Sequence, residues 1–378
     1  MTKKYIFPIF LCIASIIIYA CSKDDSEDIY EPLPVSPVDV DLTQVPYPKL
    51  SDYNFFDGTI KNLNPSLDVL PYEPTSVLFS DYAHKKRFVW MPKGLKATYN
   101  TDHKILELPV GSALIKTFYY DNVQNVSTPG MTLLVETRVM IRKSDGWIFA
   151  DYVWNEQQTE AYLDLAGSYK TIDWIDENNI SRTVDYRIPS EVQCITCHKT
   201  EKEVNSVLVT THTPIGIKPQ NLNRNYNYSS GAKNQLLKWM EVGYLENMSL
   251  PSSQNSTVDY NDTSKPIDLR ARSYVDINCA HCHNDEGHCA YRPMRYSFND
   301  TYNNSTNMGV CVNTQDMQDF PPALAKIVSP GNINKSMMYY RMNTTDEAYR
   351  MPLHGRVLIH EEGVALIEEW INSLSPCQ

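Results

Sequence analysis

The chain has no excess of positive charge. Its 378 residues include 34 Lys and Arg against 45 Asp and Glu, a formal net charge of -11 at pH 7. A nucleic-acid-binding surface needs clustered Lys and Arg against phosphate, so this balance argues against a nucleic-acid partner. The hydrophobic fraction of 42%, with 11% aromatics, is too high for a disordered chain. The length favours two or three domains with buried cores.

An apolar run near the start, from Tyr5 to Ala20, is too short to span a bilayer comfortably. It follows Lys3 and Lys4, a pattern typical of a secretory signal peptide over residues 1–20. The "IYAC" that ends at Cys21 resembles the lipobox of bacterial lipoproteins, which predicts acylation of this cysteine. The alternative is an ordinary cleaved signal with an incidental cysteine. We expect a lipid-anchored protein of the cell envelope at the outer membrane. The following "SKDD" resembles a surface-export signal.

Residues 21–49 carry five prolines and little periodic hydrophobicity, which predicts an extended tether. In residues 50–189, short apolar and aromatic runs alternate with turn sequences such as "PKG" and "KSDG". This spacing predicts an all-β, sandwich-like domain. The alternation in "MTLLVETRVMI" predicts that Glu136 and Arg138 lie on its solvent face. No constellation of acid, base or metal ligands in this region points to catalysis.

Cysteine is scarce, with 9 residues in the chain, yet four of them fall in two copies of one pattern. The two copies of Cys-x-x-Cys-His are formed by Cys194, Cys197 and His198 and by Cys279, Cys282 and His283. This pattern attaches c-type haem: the two thiols add to the porphyrin vinyl groups, and the histidine becomes the proximal iron ligand. The sequence therefore predicts two covalent haem c groups.

A zinc site is the alternative for the same residues. Two Cys-x-x-Cys pairs, here Cys194 with Cys197 and Cys279 with Cys282, are a familiar zinc arrangement. Zinc does not require a histidine directly after the second cysteine both times, and export to an oxidising compartment favours haem. A thioredoxin-like redox pair lacks its βαβ context here.

Helices are predicted over "GAKNQLLKWMEVGYL", "PIDLRARSYVDIN" and "HEEGVALIEEWINSL". In the last of these, Val364, Ile367 and Ile371 share one face with Leu374. We expect a first haem segment over 190–250, a polar linker over 251–265 and a second cytochrome c-like domain over 266–378. The predicted fold class is multidomain, a β-domain followed by a mainly α-helical cytochrome c-like region.

The sequence indicates the sixth iron ligand more clearly for the second motif than for the first. For the second haem, Met351 lies in an irregular loop before the last helix, where a small cytochrome c carries its ligand methionine. Met342 competes but falls in a predicted helix, where core packing is the commoner role. For the first haem the candidates are His212, Met240, Met248 and His84. None of them stands out, so an open iron site remains an alternative.

Three cysteines lie after the predicted signal region and outside the motifs. Cys289 and Cys311 flank a loop of the second haem region and are candidates for a disulfide, while Cys377 has no evident partner. His281 and His288 are expected to be solvated side chains.

The chain resembles a family of diheme c-type cytochromes, often described only as uncharacterised repeat proteins. The resemblance covers most of the chain from Leu50 and rests on segments such as "VETRVMIRKSDGW", "YRIPSEVQCITCH", "RSYVDINCAHCH" and "EEGVALIEEWI". It implies two covalent haems and electron transfer, with proximal His198 and His283 and distal Met351. The family pattern does not imply the partner.

The leading functional hypothesis is a membrane-anchored electron carrier that exchanges electrons with redox partner proteins in the cell envelope. The rival is a diheme peroxidase-like enzyme, or another haem oxidoreductase, whose first haem keeps an open coordination position. A third hypothesis gives the β-domain a binding role of its own.

Overall fold

The computed structural model describes residues 34–377. The predicted signal peptide 1–20, the lipidation site Cys21 and residues 22–33 of the predicted tether lie outside the described residues. From Pro37 onward the chain forms one compact unit. No helix in the described range is long and apolar enough to cross a membrane.

Eight antiparallel strands form one hydrogen-bonded sheet instead of the two separate sheets of a sandwich. They are β1 (Leu70–Pro71), β2 (His84–Trp90), β3 (Ala113–Val123), β4 (Met131–Lys143), β5 (Gly146–Trp154), β6 (Ala161–Leu163), β7 (Ser168–Ile175) and β8 (Ser181–Ile188). The first six lie in chain order, and the β7–β8 hairpin attaches at the end of β3 through Val123 and Trp174. The β-branched and aromatic residues of β3 to β5 explain the length of these strands.

Side chains on the two faces of the sheet alternate, as expected for strands. One face, with Phe88, Ile115, Val139 and Ala150, packs on the segment from Val45 to Val69. Part of the predicted tether therefore lies on the sheet, since Val45 and Tyr47 are buried there. The other face, which includes Val89 and Leu114, turns toward the part of the chain after residue 189.

The prediction of a mainly α-helical cytochrome c-like region after residue 190 is wrong. The helices there are α1 (Glu191–His198), α2 (Pro219–Leu222), α3 (Gln235–Glu241), α4 (Ile267–Asn278), α5 (Met337–Met342) and α6 (Glu361–Ser373). Two hairpins stand between them: β9 (Lys199–Val204) with β10 (Val207–His212), and β11 (Asn225–Tyr228) with β12 (Gly231–Asn234). The structure as a whole is mostly β.

The physical reason lies in the turn-forming residues of this region. In the β9–β10 hairpin, Asn205 and Ser206 both have positive φ, the backbone that a two-residue hairpin turn requires. From Cys279 to Asn332 the chain runs through turns and bends rich in Asn, Asp, Ser and Gly. These side chains and backbones compete with helix formation.

Short 3-10 turns cover Leu50–Tyr53, Ile60–Asn62, Ser253–Asn255 and Ile333–Lys335.

Two of the predicted helices are confirmed and one is shorter than expected. α4 ends directly before Cys279, and α6 buries Val364, Ile367 and Ile371. The third, α3, is shorter than the predicted segment, and in it Leu236 and Trp239 are buried whereas Leu237 is 41% exposed. The expected linker 251–265 contains a 3-10 turn and the buried Tyr260.

Candidate functional site

The first Cys-x-x-Cys-His pattern forms one helical face. α1 begins after Ser190, whose backbone N–H donates to Gln193 Oε1 at 3.2 Å. Cys194, Cys197 and His198 then follow at helical spacing, so their side chains lie on adjacent turns of one face. The helix ends at His198, where β9 begins.

The second pattern continues the end of α4 as a turn. The backbone N–H of Cys279 donates to Val275 O at 2.9 Å, and the N–H of His283 donates to Cys279 O at 3.0 Å. His283 therefore lies one turn after Cys279, as His198 lies one turn after Cys194. The two motifs have similar local geometry although one is helical and the other is a turn.

Both motifs open into one cavity of about 640 Å³. This volume falls within the range of roughly 300–1,000 Å³ found for small-molecule and cofactor sites. The cysteines and histidines of both patterns line it, together with β2 to β5, the loop after β10, α5 and the loop before α6. The sequence alone does not show how far apart the two motifs lie, and the fold places both of them on one cavity. The motif residues on its wall are Cys194, Cys197, His198, Cys279, Cys282 and His283.

The motifs approach each other most closely at Cys197, His281 and Cys282. Potential ligand atoms of these three residues lie within 4.8 Å of one another. The expectation that His281 is a solvated bystander is wrong, because it is partly buried and lines the cavity. His288, in contrast, is exposed, although it lies at the cavity edge.

The His198 ring is held in one orientation. Its Nδ1 lies 2.7 Å from the carbonyl oxygen of Thr213, which accepts the Nδ1–H hydrogen bond, and the Phe149 ring packs 5.0 Å away. Burial lowers the pKa of His198 to about 4, so the ring is neutral near pH 7. A neutral histidine whose Nδ1–H is bound to a carbonyl offers Nε2 as a metal ligand.

His283 is also buried and neutral. It is 9% exposed, its ring lies 5.4 Å from that of Tyr296, and burial lowers its pKa to about 4. Its Nδ1 has no hydrogen-bond partner in the described part of the chain. Buried polar atoms normally have a hydrogen-bond partner, so this buried imidazole on a cavity wall is consistent with a group that binds in the cavity.

Two of the motif thiols are protonated, and the other two share a hydrogen bond. Burial raises the pKa of Cys194 and of Cys279 to about 12. A hydrogen bond with the Cys282 thiol holds the pKa of Cys197 well below its usual range, and the same bond raises the pKa of Cys282. Such residues fit covalent attachment, and Cys197 and Cys282 with His281 also fit a metal ion. In the described chain Cys194 and Cys279 lie outside that group, so the four-cysteine zinc arrangement is not formed.

The Met351 loop lies on the cavity wall and is held by a buried arginine. Arg356 is 4% exposed, and its guanidinium donates to Met351 O at 3.0 and 2.9 Å. The same group reaches the carbonyl oxygens of Arg341, Met342, Thr344 and Leu358. Met342 lines the cavity as well, so both methionine candidates face it.

The candidates for the ligand opposite His198 do not line the cavity. Met240 and Met248 pack together in the core beside α3. His84 lies on the surface with Asp121, 3.9 Å away. His212 comes nearest, since its ring lies 5.4 Å from that of Phe149.

The disulfide differs from the expected pairing. Cys311 is bonded to Cys377, and Cys289 is a free, buried thiol on the cavity wall. Pairing Cys289 with Cys311 is therefore wrong. The bond joins the chain after α6 to the loop before α5.

The sheet supplies a wall of the cavity that sequence analysis missed. Glu136, predicted to face solvent, is fully buried, and its Oε1 accepts hydrogen bonds from Arg138 and Tyr186 at 2.6 Å each. Arg138 itself lines the cavity. The alternation of these strands was visible in the sequence, but nothing in it showed that the polar face is covered.

Comparisons with protein-family models, with curated proteins and with solved structures found no match for this chain.

Proposed function

We propose that the chain is a diheme c-type cytochrome that transfers single electrons between redox partner proteins in the bacterial cell envelope. The lipid at Cys21 would hold it on the membrane. The observation that carries this proposal is that both Cys-x-x-Cys-His motifs open into one cavity, each with a buried, neutral histidine. Covalently bound haem supplies one-electron exchange at its iron.

Each residue of the two motifs has a proposed role in holding a haem. Cys194 and Cys197 would hold the first porphyrin, and Cys279 and Cys282 the second, through thioether bonds. His198 and His283 would bind the irons. Thr213 keeps the His198 ring oriented through its carbonyl oxygen. Arg356 holds the loop that carries Met351. Met351 would be the second protein ligand of the iron that His283 binds.

Placing both groups in one cavity supports transfer between them. The Sγ atoms of Cys197 and Cys282 belong to different motifs yet lie within 4.8 Å of each other. Haems held by these cysteines would share one cavity and would supply one-electron exchange at neighbouring positions, which suits an electron carrier.

The test is to export the full chain in a host that matures c-type cytochromes and to measure haem and zinc per chain. The proposal expects two covalent haems and no stoichiometric zinc. His198→Ala and His283→Ala should each remove a proposed iron ligand and change the spectrum of one haem, whereas His288→Ala, at an exposed histidine beside the second motif, should leave the spectra of both haems unchanged. One zinc per chain without haem would contradict the proposal and favour the Cys197, His281 and Cys282 group as a metal site.

A second candidate function is a peroxidase-like or other haem oxidoreductase with an open position at the first iron. It is favoured by one observation: His84, His212, Met240 and Met248 are all absent from the cavity wall. Electron paramagnetic resonance distinguishes the two functions. High-spin iron and rapid oxidation of the reduced protein by peroxide support the enzyme, and two low-spin irons support the carrier.

A further inference from the structure

Four neighbouring strands place a row of charged side chains on the cavity face of the sheet. In register, Arg87 on β2 pairs with Lys116 on β3, Lys116 pairs with Arg138 on β4, and Arg138 pairs with Asp151 on β5. All four line the cavity. The adjacent row on the same face is apolar and consists of Val89, Leu114, Met140 and Phe149. The wall therefore has one charged band beside one apolar band.

One end of the charged row is neutralised internally. Arg138 donates to both carboxylate oxygens of Glu136, at 2.6 and 3.1 Å, and lies 3.6 Å from Asp151. Neighbouring strands lie about 4.8 Å apart, so Asp151 is about 14 Å across the sheet from Arg87. Asp151 therefore does not compensate Arg87, and the Glu136 carboxylate, on the strand next to Lys116, is already bound by Arg138.

Arg87 and Lys116 have no such partner. Arg87 is 6% exposed and Lys116 is partly buried, and in the described part of the chain neither side chain forms an ion pair within 4 Å or a side-chain hydrogen bond. The ammonium of Lys116 lies over the Phe118 ring, 4.7 Å from its centre. Like charges directly opposite each other on a sheet are destabilising, and buried charges are normally paired. Burial and the neighbouring Arg87 lower the pKa of Lys116 well below its usual range, so this Arg–Lys pair in a cavity wall favours a bound anion that would keep Lys116 charged.

We propose that Arg87 and Lys116 bind a carboxylate of the porphyrin anchored at Cys194 and Cys197. This inference rests on the proposed function. The first motif is the nearer one, because α1 and His198 pack against Phe149, in the apolar row beside these charges. A haem has an apolar ring and two carboxylate side chains, so the apolar and charged bands match its two chemical parts. The sheet is then part of the cofactor site and not a separate binding module.

Arg87 and Lys116 are then positioning residues that also stabilise the reduced iron electrostatically. A cation near the porphyrin carboxylate compensates its charge, so removing the cation favours the oxidised, more positive iron. Arg87→Met and Lys116→Met are each expected to shift the reduction equilibrium of the first haem about tenfold toward the oxidised form, or ~59 mV for one electron. Lys116→Arg should restore it. Lys86→Met is the matched control, because Lys86 is exposed and lies on the same strand as Arg87.

The direct readout is infrared spectroscopy of protein whose haem carboxylates carry ¹³C. The labelled carboxylate bands should shift in Lys116→Met and not in Lys86→Met. A wild type with two haems whose labelled bands and reduction equilibrium are the same in all variants overturns this inference but leaves the proposed function intact. A wild type without haem overturns both.

A free anion is the other source of the same chemistry. Titration of the wild-type protein with inorganic phosphate or acetate tests it. A saturable change in the haem spectrum that is lost in Lys116→Met would overturn the assignment to the porphyrin carboxylate. No response, together with shifted ¹³C bands, supports it. If a methionine variant does not fold, the neutral polar variants Arg87→Gln and Lys116→Gln replace it, and labelled bands and a reduction equilibrium equal to those of Lys116→Arg would overturn the inference.

Discussion

The carboxylate of Asp81 binds the backbone of Leu358, 277 residues later in the chain. Its Oδ1 accepts the Leu358 N–H at 2.7 Å, and the two carboxylate oxygens accept the Val357 N–H at 2.8 and 3.0 Å. Asp81 is 2% exposed, and its own carbonyl oxygen accepts the hydroxyl of Tyr120 at 2.5 Å. A residue just before β2 therefore fixes the segment between the Met351 loop and α6.

Asp81→Asn is expected to lower the free energy of unfolding by about 2 kcal/mol, because the amide has one acceptor oxygen and turns an N–H toward a backbone N–H. Urea unfolding monitored by circular dichroism measures the loss. Asp145→Asn, in the exposed turn between β4 and β5, is the control and should change the value little. Equal stability of the two variants would show that the Asp81 contacts do not hold this segment.

Met351→Ala and Met342→Ala distinguish the two methionines that are candidates for the second iron ligand at the Cys279 motif. If Met351 binds iron opposite His283, its removal abolishes the methionine-to-iron charge-transfer band of the oxidised protein and lowers the potential of one haem. Met342→Ala should keep both properties, since Met342 lies at the end of α5 and packs in the core there. The opposite result would assign the ligand to Met342.

Cys377→Ser opens the bond to Cys311 and is expected to lower the free energy of unfolding by about 4 kcal/mol, the chain-entropy value for a loop of 66 residues. The measurement is urea unfolding without reductant. Cys289→Ser, which removes a free thiol, is the control for the loss of a cysteine. Peptide mapping that finds Cys289 bonded to Cys311 would contradict the disulfide described above.

His360 should make the protein sensitive to acid. Its ring stacks on Phe79 at 4.2 Å, its Nδ1 lies 3.0 Å from the Tyr274 hydroxyl, and burial lowers its pKa to about 3. The unfolded value is about 6.5, so the unfolded chain takes up the proton first. The stability due to neutral His360 is complete above pH 6.5 and falls between pH 6.5 and 3, by about 3 kcal/mol at pH 4.

His360→Gln should therefore flatten the dependence of unfolding free energy on pH between 6.5 and 4, whereas His84→Gln, at an exposed position, should not. Urea titrations at several pH values compare the two slopes. Equal slopes in His360→Gln and wild type would mean that other groups cause the acid sensitivity.

Local features of the sequence predicted local features of the structure. The helix before Cys279 and the amphipathic helix near the end of the chain were correctly predicted, because both depend on residues at short spacing. The two Cys-x-x-Cys-His patterns were visible for the same reason. The short helices and hairpins after residue 190 were not, because turn residues such as Asn205 and Ser206 act against the helical pattern.

Features that depend on distant residues could not be predicted from one sequence. The partner of Cys311 is set by where α6 ends, so spacing alone pointed to Cys289. Glu136 was predicted to lie on the solvent-exposed face of the sheet, but it is buried. Alternation with apolar residues separates the two faces of a strand and does not show whether the polar face is covered. For the same reason the position of His281 between the two motifs became visible only in three dimensions.

The charged row on the sheet also fixes how the strands align during folding. A shift of one strand by one residue turns all its side chains to the opposite face. For β2, β3 or β4 such a shift would drive Arg87, Lys116 or Arg138 into the apolar core formed with the segment from Val45 to Val69. Burying an uncompensated charge in that core is strongly unfavourable. The cations on the cavity wall thus discriminate against misaligned sheets.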